Sequence, residues 1–283
     1  MHLLDINELS SSQITDIFNL TDKLQQSGDQ PLLHGKTVIL FFPESSLRTR
    51  ITFEKGIKQL GGESILFPPE TLDRREELID TINYIQNWAD AIVVRHADFS
   101  KVVEMSEHAR IPIINAMTSV NHPCEILTDL YSIREQRSDY TELTYTFIGP
   151  ASNISRSWAD IASVMNLDFH HVSVPGQAFA EPSSNYTFHT ELEEVLPYSD
   201  VILTDSLPNE FRTEEYIRRY GITLARMQLT KPGSMLNPCP PFFREEEVSR
   251  DAIDSDYFVG HAFKKNLIYV QQAILLYCLS VSC

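Results

Sequence analysis

Short apolar runs alternate along the chain with stretches of helical period. Residues 6–26 carry Ile14, Ile17, Phe18, Leu20 and Leu24 at the spacing of one helix face, with Ser10, Ser11 and Ser12 available as caps. Gly35 introduces the apolar run 37–42, which Pro43 ends; it reads as a buried strand. The pattern then predicts a helix over 46–60 stopped by Gly61 and Gly62, a strand over 63–67, a helix over 78–88 and a strand over 91–95. A helix over 100–108, a strand over 111–115 and a helix over 123–137 follow.

Beyond a polar stretch at 138–143 the alternation resumes. Strands are predicted at 145–149, 169–174, 201–204 and 234–237, and helices at 155–165, 191–196, 213–220 and 266–279. Strands and helices in this order predict the α/β class, with two doubly wound parallel-sheet domains. The first spans 1–137 and the second 138–264. A length of 283 residues suits two such cores.

Composition narrows the function classes. Hydrophobic residues make up 42% and charged residues 22%, as in ordinary globular proteins. No apolar run approaches the roughly 18 residues of a membrane span. Residues 1–5 lack the basic start and long apolar stretch of a signal peptide, so a cytoplasmic location is expected. Cys124, Cys239, Cys278 and Cys283 show neither metal-ligand spacing nor a disulfide framework; reduced thiols are expected, and no metal or cofactor. A net charge of -16 argues against nucleic acid or an anionic membrane as partner. In so acidic a chain, clustered arginines mark a place to hold an anion.

Such a cluster stands at 41–54, Phe-Phe-Pro-Glu-Ser-Ser-Leu-Arg-Thr-Arg-Ile-Thr-Phe-Glu. A strand ends and a hydroxyl/arginine group opens a helix, whose first turn presents unpaired N–H groups and the positive end of the dipole. Ser46, Arg48 and Thr49 there form a site for a phosphate dianion. Spacing alone equally allows a capping serine with surface arginines.

The segment resembles the Ser-Thr-Arg-Thr-Arg phosphate motif of the aspartate/ornithine carbamoyltransferase family, with Leu47 in place of the first threonine. Further likenesses follow in order. Residues 2–4 resemble the family's start; Glu76, Leu78, Asp80 and Thr81 resemble the end of a loop inserted into a neighbouring subunit's site. Arg95-His96 and the run from Asn121-His122-Pro123 to Asp129 resemble two more motifs, and Asn237-Pro238-Cys239-Pro240 stands where the family has His-Pro-Leu-Pro or His-Cys-Leu-Pro.

The resemblance implies that 1–137 binds carbamoyl phosphate, that 138–264 binds an amino acid, and that the helix of 265–283 packs back on the first domain. Ser46, Leu47, Arg48 and Thr49 would hold the phosphate. Thr49, Arg95 and His122 would donate to the carbonyl oxygen. Glu125 and the backbone carbonyls of Pro238 and Cys239 would accept from the carbamoyl NH2. Catalysis would rest on Arg48, Thr49, Arg95 and His122, and a cis bond is implied before Pro240. A homotrimer is implied too, with Arg74 or Arg75 serving the adjacent subunit in place of a lysine.

Other positions depart from the family. Glu125 replaces a glutamine, and Asn237 replaces a histidine. The acceptor region is mixed. Residues 149–157 place Asn153 as in the ornithine enzymes, and Thr204-Asp205 resembles their Thr-Asp pair, in which the aspartate binds an α-amino group. Residues 206–211 and 220–224 look more like the aspartate branch. Three readings remain at this point: a carbamoyltransferase with an ornithine-like acceptor, an aspartate carbamoyltransferase, and a non-catalytic paralogue that binds a ligand or a partner enzyme.

Overall fold

The computed structural model describes residues 1–28 and 30–281; Cys283 lies outside them. In chain order the first elements are α1 (Ser11–Ser27), β1 (Thr37–Phe41), α2 (Leu47–Gln59), β2 (Glu63–Phe67), α3 (Leu78–Ile85), β3 (Ala91–Arg95), α4 (Phe99–His108), β4 (Ile113–Met117) and α5 (Pro123–Gln136). Then come β5 (Thr144–Ile148), α6 (Asn153–Met165), β6 (Asp168–Val172), β7 (Tyr186–His189), β8 (Val201–Thr204), α7 (Glu214–Tyr220), α8 (Leu224–Met227), β9 (Met235–Pro238), α9 (Arg250–Ile253), α10 (Gly260–Phe263) and α11 (Leu267–Cys278). The chain divides into two units, Met1–Ser132 with Lys265–Cys283, and Ile133–Lys264. Each has its own parallel sheet, as the alternating pattern predicts.

In the first unit the strand order is β2-β1-β3-β4, all parallel. Interior strands of such sheets are covered on both faces and become apolar throughout. β1 obeys this: Val38, Ile39, Leu40 and Phe41 are all buried. β4 begins two residues later than the pattern predicts. Pro112 has no N–H to give a ladder, so only its carbonyl takes part, accepting from the Ile92 N–H at 2.9 Å. Leu3 lies alongside β4, bridged to Ile114.

α1 starts at a capping box in which Ser10 and Gln13 satisfy each other's backbone N–H, and it buries Ile14, Ile17, Phe18 and Leu24. α11 packs against α1 and α2, so the last helix belongs to the first unit. Gly56 of α2 lets it approach: a Cβ there would meet the Gln272 Cγ at 3.2 Å. The Gln272 side chain donates to the Gly56 carbonyl at 2.9 Å across the same contact.

In the second unit the order is β7-β6-β5-β8-β9, again all parallel. α6 opens on a capping box between Ser152 and Ser155. It buries Trp158, whose ring lies 5.6 Å from that of Tyr145. A second cluster joins Ile148, Val172, Ile202 and Leu236 of the strands to Tyr216 and Tyr220 of α7. The predicted helix over 191–196 is instead two 3-10 turns, Leu192–Glu194 and Leu196–Tyr198. Pro197 cannot donate the next helical hydrogen bond. β7 and the short helices α8 to α10 were not visible in the pattern. Among the described residues no helix is long and apolar enough to cross a membrane.

Candidate active site

Parallel strands place the residues that follow them along one edge, where α/β sheets bind ligands. In the first unit these are the residues after β1, β3 and β4. Neighbouring strands lie about 4.8 Å apart, so the ends of β1 and β4 flank β3 and lie about 10 Å from each other. The chain leaves β1 through Pro43 and enters α2 at Ser46. Ser46 is the N-cap residue but makes no side-chain cap. Its hydroxyl accepts instead from the Arg95 guanidinium at 3.2 Å, so it does not occupy the first-turn amides of α2.

Ser46 and Thr49 are buried, whereas Arg48 and Leu47 are exposed. Leu47 is 63% exposed, so only its backbone can serve the site. Arg95 closes β3 and lines a cavity of about 410 Å³ with Pro43, Pro69, His96, Thr118 and Ser119. His122 is buried at the end of the β4–α5 connection, directly before Pro123. Proline suits the first position of a helix, whose N–H has no intrahelical partner. Glu125 is buried in the first turn of α5. The positive end of that helix favours a carboxylate there.

Arg74 and Arg75 follow the 3-10 turn Pro69–Asp73 and are exposed. The turn is tied down by residues that the sequence pattern did not single out together. Asp73 accepts from the Lys101 ammonium and from His96 Nε2 at 3.1 Å, while Lys101 also donates to the Leu72 carbonyl at 3.0 Å. The Lys101 hydrogen bond is the main reason the Asp73 carboxyl sits below its usual range.

In the second unit, β5, β8 and β9 are neighbours and send Asn153, Asp205 and Cys239 from one edge. Asn153 is the first residue of α6, just after the Ser152 cap. Asp205 follows β8 and its Oδ1 accepts from the Ser206 N–H at 2.8 Å. Pro238 ends β9, and the Cys239 N–H donates to the Thr204 carbonyl at 2.9 Å. Asn237 lies inside β9, buried, with no hydrogen-bond partner for either amide atom.

Two further residues near Asp205 escaped sequence reasoning. Arg212 joins the segment after β8 to the turn after β9: its Nε donates to the Leu207 carbonyl at 2.9 Å and pairs with Glu246 at 3.2 Å, and its guanidinium lies over the Phe243 ring. Glu247 is buried, with one oxygen accepting from the Phe243 N–H and the other without a partner. Burial pushes its carboxyl up to about 7, helped by the charges of Glu246 and Asp205. The acidic run 245–247 gives no sign of which member is buried. No cluster able to hold a metal ion occurs among the described residues.

Two family models match in tandem. "Aspartate/ornithine carbamoyltransferase, carbamoyl-P binding domain" matches residues 1–135, and "Aspartate/ornithine carbamoyltransferase, Asp/Orn binding domain" matches residues 141–278.

The chain belongs to the aspartate/ornithine carbamoyltransferase family.

Its relatives include the ornithine carbamoyltransferase of Bacillus subtilis (strain 168), 31% identical over 293 residues, covering 96% of this chain and 92% of that protein. The ornithine carbamoyltransferase of Rhodopseudomonas palustris (strain BisA53) is 28% identical, covering 98% and 96%. Among solved structures, ornithine carbamoyltransferase from Burkholderia thailandensis E264 superposes with a TM-score of 0.90 at 26% identity, covering 98% of each chain. The Thermus thermophilus enzyme has the same TM-score at 22% identity, which speaks for the fold alone.

One expectation drawn from the resemblance is corrected. The cis peptide lies between Pro240 and Pro241, not before Pro240. Both are X–Pro bonds, for which cis is affordable, so the sequence could not choose between them.

Proposed function

We propose that this protein transfers the carbamoyl group of carbamoyl phosphate to an amine of an amino acid, with an ornithine-like acceptor. The observation that carries the reading is the Arg95–Ser46 hydrogen bond at the start of α2. It groups a guanidinium, a hydroxyl and first-turn helix amides, the donors a phosphate dianion needs. Ser46, the Leu47 backbone, Arg48 and Thr49 hold the phosphate. Thr49, Arg95 and His122 donate to the carbonyl oxygen. Glu125 and the carbonyls of Pro238 and Cys239 receive the carbamoyl NH2.

The amine lone pair attacks the carbamoyl carbon. The tetrahedral intermediate expels phosphate with the C–O electron pair, and the amine loses its proton. Donors fixed beforehand around the oxygen supply the stabilisation. Asp205 and Asn153 receive the amino acid. A carboxylate at 205 attracts an α-amino group and repels the second carboxylate of aspartate, which favours ornithine over aspartate. The names of the relatives point the same way.

Glu125 and Asn237, the latter buried inside β9, depart from the family and favour the second reading, a paralogue that binds carbamoyl phosphate without turning it over.

A homotrimer, with Arg74 and Arg75 reaching an adjacent site, belongs to the same proposal. Leu47 and Ile51 on α2 and Ile65 and Phe67 on the edge strand β2 are exposed apolar side chains that a second copy would cover. A cytoplasmic, reducing setting fits the buried thiols of Cys124 and Cys278.

Phosphate release from carbamoyl phosphate, followed across a panel of amino acids, tests the proposal. Calorimetry with carbamoyl phosphate alone separates the readings. Binding with no turnover for any amine supports the paralogue, and no binding at all defeats both.

A further inference from the structure

The connection from β4 to α5 is held by a buried polar network centred on Asn121. Its side-chain oxygen accepts from Asn115 Nδ2 at 2.6 Å and from the Thr118 hydroxyl at 2.8 Å. Its amide nitrogen donates to the Leu4 carbonyl at 3.1 Å and to the Asp5 carboxylate at 2.8 Å. An amide has two donors and two acceptor lone pairs, and all four are used.

The direction of every bond is settled by its partner. A carbonyl and a carboxylate only accept, and Asn115 Nδ2 only donates. The Thr118 hydroxyl already accepts from the N–H groups of Val120 and Asn121, which turns its hydrogen toward Asn121. The backbone is pinned as well, because the Thr118 N–H donates to the Asn121 carbonyl at 2.9 Å. Asn115, Thr118 and Asn121 are each no more than 1% exposed.

The next residue is His122, whose carbonyl accepts from the Ile126 N–H in the first turn of α5. The histidine backbone is therefore fixed on one side by Asn121 and on the other by α5. Thr118 lines the cavity beside Arg95, so the same network also sets one wall of that cavity.

We propose that Asn121 is a positioning residue for His122, and that Leu4 and Asp5 belong to the active site by holding Asn121 in place. The inference rests on the reading of His122 as a donor to the carbamoyl oxygen. It adds a residue that touches no substrate and a segment more than 100 positions away in the sequence. Asp5 gives each carboxylate oxygen a separate task, one accepting from Asn121 and one from the Asn7 N–H. An amide at position 5 has one acceptor oxygen, with an NH2 in place of the other, so one of the two donors loses its acceptor.

The test uses the full chain with 13C-labelled histidine. The His122 ring signal is assigned by its loss in His122→Gln. In Asp5→Asn the ligand-free His122 signal moves and broadens, whereas the signals of His170 and His189 in the second unit stay in place. The response of His122 to added carbamoyl phosphate weakens, and kcat falls about tenfold while the KM for the amino acid is unchanged. Asn121→Leu acts in the same direction and more strongly.

A His122 signal identical to wild type in both folded variants overturns the proposal, whatever the protein's activity. If Asn121→Leu does not fold, Asp5→Asn alone decides. A wild-type His122 signal that ignores carbamoyl phosphate counts against the functional reading. A signal that responds equally in wild type and Asp5→Asn counts against the positioning role.

Discussion

The Arg95 guanidinium donates to the Ser46 hydroxyl at 3.2 Å, joining the end of β3 to the start of α2. Ser46 therefore pairs with β3 rather than with its own helix, whose first turn it leaves uncapped. Arg95→Ala is expected to weaken carbamoyl phosphate binding by roughly 10–100-fold, the loss of about 1.5–3 kcal/mol in charged hydrogen bonds. Ser46→Ala should cost less affinity and little stability, because no cap is lost. Calorimetry and thermal unfolding of both variants check this. A large stability loss in Ser46→Ala with unchanged binding would show that the residue is structural.

Under the proposed function, Asp205 gives the acceptor half its sign. Asp205→Asn should raise the KM for ornithine by at least about tenfold and leave the KM for carbamoyl phosphate within about twofold, because the two halves draw on different residues. Steady-state kinetics with each substrate varied in turn is the check. Improved use of aspartate by the variant would support the charge argument further.

The turn that carries Arg74 and Arg75 is anchored through Asp73 to Lys101 and His96. In Asp73→Asn the anchor loses its charge. Trypsin should then cleave after Arg74 or Arg75 several times faster at pH 8, in limited proteolysis resolved by mass spectrometry. Equal cleavage rates would mean that the anchor does not hold the turn.

Glu247 makes stability depend on pH. Its folded pKa is raised above its unfolded value, to about 7, mainly by burial. Between the ordinary carboxylate range and about 7 the folded state holds more protons than the unfolded state, so stability falls as pH rises through that window. Glu247→Gln lacks the titration. Its stability relative to wild type should improve by on the order of 1–2 kcal/mol between pH 5 and pH 8, read from denaturant unfolding. A constant difference across that range would contradict the assignment.

Much of this molecule could be read from its sequence, and the gaps have physical causes. A continuous apolar run as short as 37–42, bounded by Gly35 and Pro43, reads as a strand buried on both faces rather than as a longer buried helix. β7 does not show in the pattern because it is a half-buried edge strand of only four residues, three of them polar or titratable. The placement of Ser46, Arg95 and His122 along one sheet edge was legible because each ends or follows a strand, where parallel sheets bind ligands. Asn121 with Asp5, and Arg212 with Glu246, were not. Their partners lie 116 and 34 positions away (121 minus 5, 246 minus 212), and no local pattern records such pairings.

The most direct test compares two products in parallel. The protein is given carbamoyl phosphate with ornithine or with aspartate, and the ureido product is measured by its colour reaction. Formation of the ornithine product, abolished or reduced at least about hundredfold by Arg95→Ala, is the predicted result. Formation of the aspartate product instead, or none of either under conditions where carbamoyl phosphate binds, would contradict it.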